Sequence, residues 1–94
     1  LLNFSVNGAK MGSIMPYDRL KYSNNISFEV NGIDRIKLVE LIKNNHEVCH
    51  WFPGEKDFKK NYIDKEDVAK GTYYYLRVVQ EDEEVAWSSP IWIA

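Results

Sequence analysis

The stretch Gly71-Thr72-Tyr73-Tyr74-Tyr75-Leu76-Arg77-Val78-Val79 decides the fold, together with Val85-Ala86-Trp87-Ser88-Ser89-Pro90-Ile91-Trp92-Ile93 that follows it. Both runs are rich in β-branched and aromatic residues, which suit a pleated surface, and the acidic run Gln80-Glu81-Asp82-Glu83-Glu84 separates them. That pattern predicts a β-hairpin. A tyrosine entering a strand just past a Gly-Thr corner is also how many immunoglobulin-like sandwiches lock that strand. Side chains alternate along a strand, so Tyr74, Leu76 and Val78 share one face, and Tyr73, Tyr75, Arg77 and Val79 share the other. The corner geometry predicts Tyr74 inward, its hydroxyl bonded to nearby backbone. The opposite face then reads either as a binding surface built from Tyr73, Tyr75, Arg77 and Trp92, or as an ordinary outer face stiffened by cross-strand pairs with Trp87 or Trp92.

Working back toward the start, Leu2–Val6 alternates and stops at Asn7-Gly8, and Ile26–Val30 alternates and stops at Asn31-Gly32. Met11–Met15 reads as a short edge strand ended by Pro16, and Phe58–Ile63 as a strand polar on one side. The segment Asp34–Lys43 is ambiguous, because Ile36, Val39 and Ile42 are spaced for a helix face whereas Val39 and Leu41 alternate. The turn signals on either side sit at hairpin spacing, so a strand is expected there, with a bulge at Lys37-Leu38 and a turn at Asn44-Asn45. Turn signals every 8–15 residues or so predict an all-β sandwich of about seven strands, immunoglobulin- or fibronectin-III-like, occupying residues 1–94 as one domain.

Composition narrows the function classes. With 45% hydrophobic residues, a core forms without disulfides, and the single cysteine, Cys49, allows none within the chain. A net charge of −2 with scattered lysines and arginines argues against nucleic acid as a partner. No apolar run approaches the roughly 18 residues of a membrane span. The chain opens Leu1-Leu2-Asn3 without Met, so a piece of a longer protein, monomeric on its own, is expected.

One motif points elsewhere. His46-Glu47-Val48-Cys49-His50 fits H-E-x-x-H, in which two histidines on one helix face bind zinc and the Glu acts as base. Asn44-Asn45 before it and Pro53-Gly54 after it leave no room for the helix. Any third ligand would have to be a carboxylate such as Glu55 or Glu66. Read as a strand, His46, Val48 and His50 face one way and Glu47, Cys49 and Trp51 the other, with the imidazoles about 13 Å apart. No metal ligand, catalytic residue or cofactor is therefore assigned. Cys49 reads as a small buried hydrophobe, Glu81–Glu84 as a solvated hairpin tip, and Ser88-Ser89 lacks the surroundings of a nucleophile. Asn3-Phe4-Ser5 and Asn25-Ile26-Ser27 are glycosylation sequons.

The hairpin from Gly71 through Trp92 resembles the ending of microbial proteins that carry a PHP-type metal-dependent phosphoesterase-like domain. Val6–Gly12 and Val39–Val48 resemble the same region. The chain departs from that pattern at Asn45, where the turn generally has Gly, and at Glu83, where the last hairpin generally has Asp-Gly. The resemblance implies a C-terminal immunoglobulin-like domain beside a catalytic part whose metal ligands lie outside this chain. It implies an accessory module of a cell-surface protein, covalently linked to its neighbouring domain. A carbohydrate-binding sandwich, with exposed aromatics stacking on sugar rings, is the alternative; a minimal zinc hydrolase is the lesser one.

Overall fold

The computed structural model describes residues 1–19, 23–66 and 68–94. Its strands are β1 (Leu2–Val6), β2 (Ala9–Lys10), β3 (Ile14–Met15), β4 (Asn24–Asn31), β5 (Ile36–Lys43), β6 (His46–Trp51), β7 (Asp57–Asp64), β8 (Tyr73–Gln80), β9 (Val85–Trp87) and β10 (Ile91–Ile93). One sheet runs β2-β1-β4-β7; the other runs β3-β10-β8-β5-β6, with β9 also paired to β8. The fold is all-β, two sheets over a shared core. Six longer strands and the split strand β9/β10 make seven; of the short edge strand expected over Met11–Met15 only Ile14–Met15 forms, as β3, because Met11 and Gly12 turn, and the two-residue β2 is additional.

Alternation dictates which residues enter the core. Phe4 and Val6 of β1 and Ile26, Phe28 and Val30 of β4 meet Val39 and Leu41 of β5 and Tyr74, Leu76 and Val78 of β8. The ambiguous segment is a strand, because its apolar positions find partners in β8 on one side and β6 on the other. The expected bulge is present: register shifts between Ile36 and Leu38. A second shift, between Leu41 and Ile42 against Cys49 and Glu47, was not legible in the pattern.

Turn chemistry follows the side chains. Asn44 and Asn45 hold φ of 52° and 65°, the left-handed pair that a two-residue hairpin turn requires, so Asn replaces the more usual Gly without breaking the turn. At the β8–β9 turn the left-handed residue is Glu83, φ 72°, and its N–H donates to the Gln80 carbonyl at 3.0 Å. That explains how a hairpin without Asp-Gly closes: three residues turn, the last strained. Glu83→Gly is expected to raise stability by about 0.5–1 kcal/mol in denaturant titration, since a non-Gly residue there costs about 1–2 kcal/mol and glycine gives part of that back as unfolded-chain entropy.

Ser88 bridges the break between β9 and β10. Its N–H donates to the Leu76 carbonyl at 2.9 Å, and its Oγ accepts from the Leu76 N–H at 2.8 Å, so a side chain continues the ladder where Pro90 cannot. Ser88→Ala would leave a buried N–H without its acceptor. A loss of about 1–3 kcal/mol in thermal or denaturant unfolding is expected.

Candidate functional site

The two sheets differ in their outer faces. On the β1/β4/β7 sheet the outward positions are polar apart from Ile63: Asn3 lies opposite Glu29, Ser5 opposite Ser27, Ser27 opposite Asn61 and Glu29 opposite Lys59. On the other sheet the β8–β10 side is largely apolar, while Glu40, Arg77, Glu47 and His50 make the β5/β6 side polar. Trp92 pairs across from Tyr73 and Ile14, Tyr75 from Ile42, Trp87 from Arg77, and Val85 from Val79. Ile42 and Val79 are buried although neither belongs to the core between the sheets. Tyr75 lies across from Ile42, and Leu38 and Val85 flank Val79.

Three of the four residues singled out in the sequence form one cluster. The Tyr73 ring lies 4.6 Å from that of Trp92 and 6.3 Å, nearly parallel, from that of Tyr75. Arg77 shares the face but is engaged with the Glu40 carboxylate across the strand pair. It frames the cluster as half of an ion pair instead of presenting a free charge. Residues left out of the expected face enlarge it: Trp87 is 61% exposed and Ile14 70%, with Trp92 at 44%. Their signal was in the register, which sets both beside the tyrosine strand and its partner.

The H-E-x-x-H residues lie on a strand, and the bulge at Val48 overturns the expected alternation. His50 and Glu47 fall on the same, outer face, with Nδ1 and Oε1 3.2 Å apart. His46 lies opposite Lys43, whose ammonium is directed between the sheets. The two imidazoles therefore leave the strand on opposite sides, not on one side. Cys49 sits opposite Leu41 on the inner face and is half-buried instead of buried. His46 and Glu66 line a cleft of about 620 Å³ at the end of the sandwich, while Glu55 lies outside it.

A buried polar network lies at the base of that cleft. Lys43 Nζ donates to Asp64 Oδ2 at 2.9 Å, and the Tyr74 hydroxyl donates to the same oxygen at 2.5 Å. Asp64 Oδ1 accepts from the Glu66 amide, and the Lys43 ammonium sits 5.6 Å from the Tyr74 ring centroid. The inward Tyr74 is as expected, but its hydroxyl bonds a carboxylate on the facing sheet, not nearby backbone. Burial pushes the Asp64 carboxyl up, but the hydrogen bonds from Tyr74, Lys43 and Glu66 outweigh it and hold the carboxyl below its usual value. Burial, then the hydrogen bond and charge of Asp64, raise the Tyr74 hydroxyl well above the ordinary tyrosine value. Burial and the nearby Cys49 and Asp64 push the Tyr62 hydroxyl up as well.

Regions similar to this chain occur in longer proteins of Chlamydia. It is 34% identical over 109 residues to a protein of Chlamydia muridarum and 36% over 110 residues to one of Chlamydia trachomatis, each described as an uncharacterized protein. A Chlamydia pneumoniae protein of the same description is 33% identical over 107 residues. Each match takes in 99% of this chain but 17% of the relative, so more than four-fifths of each relative lies outside it. No family model and no solved structure matches the chain. Among the described residues, no helix is long and apolar enough to cross a membrane.

Proposed function

We propose that this chain is a non-catalytic docking module of a longer protein, whose apolar outer face seats against another part of the same polypeptide. One observation carries the reading. The β8/β5 sheet buries apolar residues on both of its faces, as a sheet covered on both sides does, whereas the opposite sheet shows the polar outer face of a solvated one. The ring cluster of Trp92, Tyr73 and Tyr75, with Ile14 beside Trp92 and exposed Trp87 opposite Arg77 on the same face, has the aromatic make-up of an interface centre. The occupant proposed is the rest of the same polypeptide, a choice supported by the matched region being a small part of much longer chains. Covalent linkage makes such docking effectively intramolecular, so a modest patch is enough.

The finer fold reading is fibronectin-III-like. It draws on a β1-β4-β7 sheet facing β6-β5-β8 with the split β9/β10 beside β8, and on Tyr74 at the corner after Gly71. The likeness of the Tyr-to-Trp hairpin to the ending of PHP-type proteins supports a catalytic, cell-surface parent in which this module is the accessory.

The test adds the remainder of the longer polypeptide in trans to the 94-residue chain and follows binding by calorimetry. Truncating both exposed indoles, W87S with W92S, is expected to weaken binding by at least about thirtyfold, as removal of central tryptophan anchors does. Unaltered affinity of a folded double variant would remove the aromatic face from the account.

A further inference from the structure

The polar outer face of the β1/β4/β7 sheet is not flat. A concavity of about 500 Å³ lies over it, within the size range of ligand sites. Its shape comes from side-chain size. Ser5 and Ser27 face each other across β1 and β4, and longer residues surround them: Lys10 beyond Ser5, Asn61 beyond Ser27, Asn3 and Lys59 in the next row. Serine is a weak choice for an exposed strand position, where β-branched or aromatic side chains gain cross-strand contact. Two of them in register leave a trough. The row Lys10–Ser5–Ser27–Asn61 crosses four strands, a span of about 14 Å at the usual strand spacing.

The chemistry of the walls is selective. Ser27 Oγ donates to Asn61 Oδ1 at 2.6 Å, which orients that amide with its nitrogen free to donate. The side chains of Asn3, Ser5, Lys10 and Lys59 make no hydrogen bond or ion pair among the described residues, so solvent alone satisfies them. Lysines stand at both ends, Lys10 on one and Lys59 on the other, against the single carboxylate of Glu29. This is a locally positive trough in a chain of net charge −2. No aromatic ring is exposed in it, since Phe4 and Phe28 turn inward and are buried. Single-stranded nucleic acid, which needs stacking platforms, is therefore a poor fit. Neutral amide and hydroxyl groups along the floor, with ammonium groups at the ends, suit an extended ligand that carries hydroxyls along its length and anionic groups at intervals.

We infer that this serine-floored trough binds a short acidic oligosaccharide, its hydroxyls on Asn3, Ser5 and Asn61 and its carboxylates on Lys10 and Lys59. The inference is independent of the docking reading, because the trough lies on the opposite sheet. A module docked through one sheet presents the other to solvent.

Amide-detected NMR titration of the 94-residue chain tests it with three probes: trigalacturonic acid, neutral maltotriose and inorganic phosphate. Trigalacturonic acid is expected to shift the amides of Ser5, Ser27 and Asn61 saturably, to bind about tenfold more tightly than maltotriose, and to weaken several-fold as salt is raised. S27L, which fills the floor with a better strand former, is expected to abolish the shifts. K59Q, an exposed change that leaves the floor intact, is expected to weaken binding about three- to tenfold. Overturning results are absent shifts, shifts confined to the Tyr73 and Trp92 face, equal binding of maltotriose, or phosphate reproducing the full response. Unchanged binding by folded S27L and K59Q together would do the same.

Discussion

Asp64→Ala is expected to lower the unfolding free energy by about 3–5 kcal/mol, the usual cost of removing one partner from a buried ion pair. Asp64 is 2% exposed and Lys43 9%, so neither charge has water to fall back on. Losing the carboxylate takes from the Lys43 ammonium the acceptor it meets at 2.9 Å and leaves the Tyr74 hydroxyl without the oxygen it donates to, both between the sheets. A domain of this size has only about 5–15 kcal/mol in hand. The measurement is urea unfolding followed by tryptophan fluorescence. Replacing all three members at once, K43M with D64L and Y74F, is expected to recover most of the loss, because apolar groups of similar volume need no partners. A single D64A variant as stable as the parent would show that the network contributes nothing.

The same network sets a pH dependence. The Asp64 carboxyl is held below its ordinary value in the fold, so its contribution is complete above the unfolded pKa of about 4 and is lost as pH falls through the lower folded value. The Tyr74 hydroxyl is raised, so its contribution is complete below about pH 10, the unfolded tyrosine value, and is lost above it. Stability should therefore fall at both extremes. In Y74F the alkaline limb should flatten, while the acid limb remains wherever Lys43 still pairs with Asp64.

Trp51→Ala is expected to cost about 3–5 kcal/mol, comparable to other large aromatic truncations. Trp51 belongs to β6, yet its ring meets three rings of the facing sheet: Phe28 at 5.1 Å, Phe58 at 6.3 Å and Tyr62 at 6.0 Å. β6 and β7 are the edge strands on the same side of the sandwich, so this cluster is what closes that side. Near-UV circular dichroism should lose most of its aromatic signal in the variant while far-UV strand signal persists at low temperature. Trp87→Ala, an exposed indole on the other side, should change stability by less than about 1 kcal/mol. Equal losses from both would mean that Trp51 does not close the sandwich.

Much of this was legible because strand period and turn chemistry are local. Tyr74, Leu76 and Val78 inward, the Asn44-Asn45 turn and the bulge at Lys37-Leu38 all follow from neighbouring residues. What was not legible depends on partners distant in sequence. The bulge at Val48 arises where β6 meets β5, and no pattern within His46–Trp51 marks it; it is what sends His46 and His50 to opposite faces. The Lys43–Asp64 pair joins strands 21 residues apart. Its signal was present but faint, since Lys43 continues the inward series of Val39 and Leu41, and an inward lysine needs a carboxylate. The extended aromatic face was half visible: Tyr73, Tyr75 and Trp92 from alternation, but Ile14 only through the parallel pairing of β3 with β10. The trough required four strands in register, beyond any local reading.

The central claim is that the aromatic outer face is covered in the longer protein and the polar face is not. Hydroxyl-radical footprinting, read residue by residue by mass spectrometry, compares the 94-residue chain with the same segment inside the longer polypeptide. Trp87, Trp92, Tyr73 and Tyr75 are expected to be oxidised in the short chain and protected severalfold in the long one, while Phe52 on the far edge reacts equally in both. Equal oxidation of the two indoles in both contexts would contradict the claim.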